Sequence, residues 1–426
     1  MTARAPSSPS TPRSGPHPDG PLTLRQAFDP RSNSIGFLRW LMAFAVIFSH
    51  AGPLAGFYGG ADLGVQISSE QSLGGVAVAG FFFFSGFLIT NSRMGSSTIL
   101  RYFWRRALRI FPAFWLALLT TVFVLAPIAW IRETGSIDGY WDARHESPLT
   151  YFVNNMWLDL GQRNIAGMGF SLPFAHHGGY DWNGSAWTLL YEFRAYILVG
   201  VLGLFGLLAN RRLGALCALA IILLNALTWT GYDMAAVSPA LDDPFNVMFF
   251  APFAFGMLMA LYGDRIVIDD RVAIAALLAA GFAYATGGWN VWGQYGFCYA
   301  LMWFAVRATR LRNWEKYGDF SYGIYIFAWP LMQFAAFFGL HRAGWLVYHL
   351  VIVAACHLAA FGSWHLIEKP AMSLKNWTPR PLQRLTDACG PALDRLRRRL
   401  VHPDFSSAPF ARRLRTERTG GTGEDA

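Results

Sequence analysis

Apolar runs of about twenty residues recur from residue 35 to residue 366, and this constrains the chain more than anything else in it. An α-helix rises 1.5 Å per residue, so ~20 apolar residues cover the ~30 Å hydrocarbon core of a bilayer. Reading the runs between polar breaks predicts ten spans, at 35–55, 73–92, 110–130, 183–207, 213–230, 245–262, 272–287, 291–306, 319–339 and 343–366. The expected fold class is therefore all-α, a polytopic transmembrane helix bundle. Composition agrees: 54% of residues are hydrophobic and only 14% charged, against about 25% charged in ordinary soluble domains. The stretch "GGWN" between the seventh and eighth spans reads as either a turn or a kink.

Charge sets the expected orientation. With the N-terminus inside, 29 of the 35 Lys and Arg fall in cytoplasmic loops and tails. Only Arg132, Arg144, Arg163 and Arg342 fall outside, and Arg39 and Arg194 lie within spans. That asymmetry follows the positive-inside rule, so both termini are expected in the cytoplasm and the protein in the inner (plasma) membrane. The net charge of +9 is explained by topology and anionic membrane lipid, and no nucleic acid is required. Residues 1–34, rich in Pro, Ser and Arg, read as a disordered cytoplasmic tail. Residues 35–370 read as the membrane domain, and 371–426 as a basic cytoplasmic tail. Cys217, Cys298, Cys356 and Cys389 are scattered and indicate neither a disulfide framework nor a metal site. Residues 132–182 form the long external loop, of the kind that is either functional or disordered.

Within this apolar background a few polar residues stand out. "RWLMAFAVIFSH" places Arg39 and His50 eleven residues apart, three helical turns plus about 20°, on one face and roughly 16 Å apart. Ionisable residues inside a membrane are functional candidates by default, although a snorkelling Arg and a packed His explain the pattern equally well. "GGVAVAGFFFFSGFLI" sets an aromatic wall beside Ser85 and Gly86, which suits either substrate contact or close helix packing. In "RYFWRRALRIFP", Arg106 and Arg109 share a face at i, i+3 and suit phosphate, and Pro112 suits the opening of the third span. In "DWNGSAWTLLYEFRAY", Glu192 lies deep in a span with Tyr196 on its face, while Arg194 points elsewhere.

Taken in order, these segments resemble the acyltransferase-3 family of integral membrane acyltransferases. Arg39 and His50 match its R-x10-H, and "FFFFSGFLI" its FFxxSGF[LF]. "RRALRIFP" resembles its RxxR stretch, and "NGSAWTLLYEF" its W-[ST]-L-x-x-E segment. "SYGIYI" and "IEKP" resemble its S-Y-x-x-Y and late I-E-[KR]-P elements. The resemblance covers about 35–371. Ala328 stands where many members have His, which shifts the expected catalytic load onto His50.

The resemblance implies an O-acyltransferase that moves an acyl group, usually acetyl from acetyl-CoA, to a hydroxyl of a carbohydrate or glycolipid acceptor. It implies no metal. On this reading His50 is the base or acyl-handling residue, and Glu192 orients it or binds the sugar. Arg39, Arg106 and Arg109 serve acyl-CoA, and Ser85, Trp187, Tyr196 and Tyr322 contact substrate. The rival is a transporter or flippase of a lipid-linked sugar with His50, Glu192 and Arg194 as a proton path; no internal repeat of the kind many transporters carry is visible. Nothing in the sequence specifies an oligomer.

Overall fold

The computed structural model describes residues 22–95, 98–169, 172, 179–234, 236, 238, 241–312, 314–377, 384 and 388. Residues 1–21 of the expected N-terminal tail and, from 378 on, nearly all of the expected C-terminal tail, Cys389 included, lie outside the described residues. Of the described residues 73% are helical, and none lies in a strand.

The long helices run α1 (Ile35–Ala55), α2 (Leu73–Met94) and α3 (Ile99–Thr120, running on through a π turn to Thr134). A short α4 (Pro148–Asn155) precedes α5 (Thr188–Leu204), α6 (Arg211–Trp229) and α7 (Pro244–Leu261). Then follow α8 (Asp270–Thr286), α9 (Gln294–Arg307), α10 (Ser321–Phe337) and α11 (Trp345–Ser363, continued through a π turn to Ser373). Seven helical segments are long and apolar enough to cross a membrane, those built on α1, α2, α3, α5, α6, α7 and α11.

The other three expected spans are helices too, but shorter: 17, 14 and 17 residues for α8, α9 and α10. Seventeen residues rise about 25 Å. "GGWN" is a turn. Gly287 and Gly288 both take positive φ (99° and 92°), a region glycine enters without Cβ strain, and the Glu70 carboxylate accepts from the Gly288 N–H (2.5 Å) and the Asn290 N–H (3.0 Å).

Two expectations need correction. The third span does not open at Pro112; its helix starts at Ile99, where the Thr98 side chain caps it by accepting from the Arg101 N–H. Pro112 sits inside, and the arginine segment belongs to the same helix. Residues 22–34, read from the sequence as part of a disordered tail, instead pack on the body. Leu24 is buried, and its N–H donates to the Ile266 carbonyl at 2.7 Å, with Arg25 N–H to Gly263 O at 2.8 Å.

The long loop is packed. Tyr140, Tyr151, Tyr180 and Trp182 are fully buried in it, and two of the hydroxyls bond beyond it: Tyr140 donates to Val122 O (2.7 Å) and Tyr151 to Asn183 Oδ1 (2.7 Å).

Where α2 crosses α7, the backbones touch through glycines, as the Ser85-Gly86 pair suggested. A Cβ on Gly86 would lie 2.0 Å from Phe253 O, and one on Gly256 would lie 2.2 Å from Phe83 O. Small residues permit this approach, and dispersion along it holds helices together in lipid. Gly86→Ala should therefore destabilise the protein by about 1–3 kcal/mol or more, read as a lower melting temperature in detergent. Gly281→Ala in α8, where a Cβ meets nothing within 4 Å, should melt no lower than wild type.

Candidate active site

Two polar sites lie along α1, one around Arg39 and one around His50. At one end is a cavity of about 360 Å³. Its walls include Arg39 of α1, Ser85 of α2, Arg106 and Arg109 of α3, Glu192 and Tyr196 of α5, and Tyr322 of α10. Seven of the nine residues singled out from the sequence thus share one cavity. The two exceptions are Trp187 and His50.

Charge in this cavity is organised around Asp319, in the loop just before α10. Arg39 donates to its Oδ2 at 2.7 Å, Arg109 donates to the same oxygen, and Ser321 Oγ donates to Oδ1 at 2.6 Å. Arg109 also lies 3.7 Å from Oε2 of the buried Glu368, whose other oxygen accepts from Ser363 Oγ at 2.9 Å. Burial pushes the Asp319 carboxyl up, but Arg109 and then Arg39 more than offset that and hold it well below the usual carboxylate range. Burial and the neighbouring Asp319 push Glu315 up instead, 4.0 Å from Arg39. Two of the three arginines are therefore already neutralised. Arg106 forms no ion pair with a carboxylate among the described residues; its guanidinium lies 5.8 Å from the Tyr196 ring centre, and its buried Nε has no hydrogen-bond partner.

Glu192 is held on the cavity wall by two hydroxyls that converge on Oε1, Ser85 Oγ at 2.8 Å and Tyr196 OH. The i+4 pairing read from the sequence is thus present. Arg194 does point away, to Asn246 Oδ1 (3.1 Å) and Asp243 (3.5 Å). Tyr322 donates to Ile110 O at 2.8 Å and lies under Arg109. Trp187 does not line the cavity: the 3₁₀ turn Gly184–Trp187 turns it onto Phe245 and Phe249, at ring distances of 4.8 and 5.3 Å.

His50 is the second site. Its carboxylate partner is Asp62, Nδ1 lying 2.9 Å from Asp62 Oδ1, so, of the two roles read for Glu192, orienting the imidazole falls away. Ser49 Oγ donates to the same oxygen at 3.2 Å and accepts from the Gly74 N–H at 2.9 Å. Asp62 reaches His50 because the loop after α1 folds back on it. A Cβ on Gly52 would sit 1.8 Å from Ala61 O, and Leu63 N–H donates to Ser49 O at 3.2 Å. Trp329 of α10 meets the imidazole edge-on at 4.9 Å. With Nδ1 engaged by a carboxylate, Nε2 is the nitrogen free for proton chemistry.

The Acyltransferase domain family matches residues 32–368, which takes in both sites. The chain belongs to the acyltransferase-3 family of membrane O-acyltransferases. It is 29% identical over 358 residues to an O-acetyl transferase of Shigella phage Sf6, covering 80% of this chain and 96% of that one. It is 27% identical over 374 residues to Nodulation protein 10 of Rhizobium leguminosarum bv. viciae, covering 80% and 94%. No solved structure matches the chain. The protein is thus a multi-pass membrane acyltransferase.

Three carboxylates that organise this acyltransferase's sites went unread in the sequence. Asp319 immediately precedes "FSYGIYI", and Glu368 is the acid of "IEKP". Asp62 is the only carboxylate between Asp29 and Glu70, but loop geometry brings it to His50 and no periodicity marks it.

Removing the shared carboxylate should unlatch the arginine end. Asp319→Asn leaves two partly buried guanidiniums against a neutral amide, a change of the kind that costs about 3–5 kcal/mol. The stabilisation belongs to the ionised form, so it is fully present above the unfolded-state value near ~3.9. It fades only as pH falls toward the depressed folded-state value. The melting-temperature gap between wild type and Asp319→Asn should accordingly stay constant from pH 8 to about 5 and close only in stronger acid.

Proposed function

We propose that the protein transfers a short acyl group, acetyl in the first instance, from acyl-CoA at the arginine end to a hydroxyl of a carbohydrate or glycolipid at the histidine end. The observation that carries this reading is the separation along α1: a cavity holding one arginine without a carboxylate partner among the described residues, Arg106, begins at Arg39, and a carboxylate-paired imidazole stands three turns away. The charge asymmetry of the loops supports a cytoplasmic arginine end, on the side of the acyl-CoA pool, and an inner-membrane location. The phage relative's name, O-acetyl transferase, favours acetyl.

Arg106 is the phosphate-binding cation on this reading, since its charge is not consumed by a carboxylate. Arg39 and Arg109 set the shape of the cavity mouth. An alcohol is a weak nucleophile until a base takes its proton. His50 Nε2 removes the acceptor hydroxyl proton while Asp62 holds Nδ1–H and balances the imidazolium. The hydroxyl oxygen bonds to the thioester carbon, the C–S bond breaks, and the proton passes from His50 to the leaving thiolate. Glu192, held by Ser85 and Tyr196, orders the donor inside the cavity.

The assignment is tested on purified protein with labelled acetyl-CoA and envelope polysaccharide. His50→Ala should lower transfer by about 10²–10⁴-fold, the usual share of a general base, with donor affinity unchanged. Asp62→Asn should fall in the same direction and be partly restored by Asp62→Glu. A transfer rate near wild type in both His50→Ala and Asp62→Asn would remove the base from this site.

The arginines should separate. Arg106→Gln should weaken acetyl-CoA binding by about 1.5–3 kcal/mol, the worth of a charge-assisted contact, with little change in melting temperature. Arg109→Gln should do the reverse and lower stability first. Equal loss of donor affinity in the two variants would return both arginines to phosphate.

A further inference from the structure

Between the cavity and His50 stands a partition one helical turn thick. The cavity's last lining residues toward His50 are Val78 on α2, Thr188 on α5 and Tyr325 on α10. One turn further on each wall lie the residues at the histidine. A Cβ on Gly74 would be 3.6 Å from His50 Cε1, Trp329 touches its ring, and a Cβ on Gly184 would be 2.4 Å from Trp329. A turn of α-helix is about 5.4 Å, so the cavity and the imidazole are nearly in contact and yet separate.

What fills that turn is a hydroxyl bridge. Tyr325 OH donates to Ser185 O at 2.8 Å, and the same oxygen lies 2.6 Å from Thr188 Oγ1. Ser185 Oγ returns a bond to Tyr325 O at 3.3 Å. Phe81 closes the remaining side, edge-on to the Tyr325 ring at 5.9 Å. Tyr325, Thr188 and Ser185 are all buried. The bridge ties α10 to the start of α5 across the end of the cavity. It consists of bonds that a polar ligand can replace one for one, unlike a wall of packed aliphatic side chains.

Resting on the reading of the cavity as the acyl donor site, we infer that the Tyr325–Thr188–Ser185 bridge is the specificity element that decides between acceptor hydroxyl and water. Closed, it keeps the thioester one turn away from the His50 side, where solvent enters with the acceptor. It yields only when an acceptor seated at His50 and the donor's polar arm together replace its hydrogen bonds. Without it, water reaches the same thioester: the water oxygen bonds to the acyl carbon, the C–S bond breaks, and one water proton ends on the thiolate. The products are free carboxylic acid and CoA, in place of the acyl ester and CoA.

The test compares Tyr325→Phe and Thr188→Ala with wild type in detergent or vesicles, measuring ester formation and free acetate from the same labelled acetyl-CoA. The ratio of acetate to ester should rise about tenfold in each variant, and acetate should form even with acceptor omitted. A merely structural role for these residues lowers both products together and leaves the ratio unchanged, and that result overturns the inference. Should Tyr325→Phe fail to fold, Thr188→Ser restores the hydroxyl without the methyl and should return the ratio to wild type; a ratio that stays with Thr188→Ala overturns it as well. Wild-type protein that forms neither product from any acyl-CoA would sink the donor-site reading itself, which is a separate result.

Discussion

Asp319 sits where three helices must be held at one spacing, and it does so with a single charge. Arg39 from α1 and Arg109 from α3 meet on one of its oxygens, and Ser321 at the start of α10 binds the other. In an apolar surround an unpaired guanidinium is costly, so the two arginines cannot part without leaving a charge uncompensated. Glu368, from the π turn that ends the main part of α11, adds a fourth element by pairing with Arg109. The cavity mouth is therefore defined by ion pairs. Phe81, Phe82, Phe84 and Leu189 among others line the wall around the Glu192 and Tyr325 hydrogen bonds, and this apolar packing could shift more easily.

With that end fixed, α1 acts as a ruler. Its Arg39 is anchored at Asp319, and eleven residues later His50 is anchored at Asp62. Both anchors lie outside α1, on the loop before α10 and the loop before α2. Twisting or sliding α1 would break a pair at each end, so the distance from the arginine cluster to the imidazole is set by helix geometry. Tyr322, Tyr325 and Trp329 of α10 run alongside, at spacings that keep them on one helical face. They meet in turn Arg109, the hydroxyl bridge and His50.

The sequence made the helices legible because lipid leaves little choice: a backbone in hydrocarbon must satisfy itself as a helix. Arg39, Ser85, Arg106, Arg109, Glu192, Tyr196 and Tyr322 could be gathered because they are polar residues inside apolar runs, which the fold brings together on one cavity. Trp187 was misread because an aromatic in an aromatic-rich chain carries no direction until the 3₁₀ turn before α5 is known. The partner of His50 was misread for a different reason. A loop carboxylate such as Asp62 is placed by Gly52 and the backbone bonds of residues 61–73, and none of these leaves a periodic trace. Asp319 lay at the very edge of an expected span, where boundaries are least certain, and so was not singled out.

Ala328 shows how a departure from a family pattern can lose its weight once the helix is seen in place. An imidazole there was expected to share catalytic work, and its absence to burden His50. The Ala328 side chain is fully buried among Ala43, Ile47, Ile324, Ile352 and Cys356, in the apolar seam between α1, α10 and α11. It is not among the residues lining the cavity. The neighbouring position, Trp329, is the one turned to His50, and it also donates to the Asp181 carbonyl at 2.5 Å, tying the long loop to the imidazole. A histidine at 328 would have to be satisfied within an apolar seam or reach past Trp329. Alanine in that seam leaves nothing unsatisfied, and the imidazole of His50 has its own carboxylate, so the proposed acid–base chemistry needs no second histidine there.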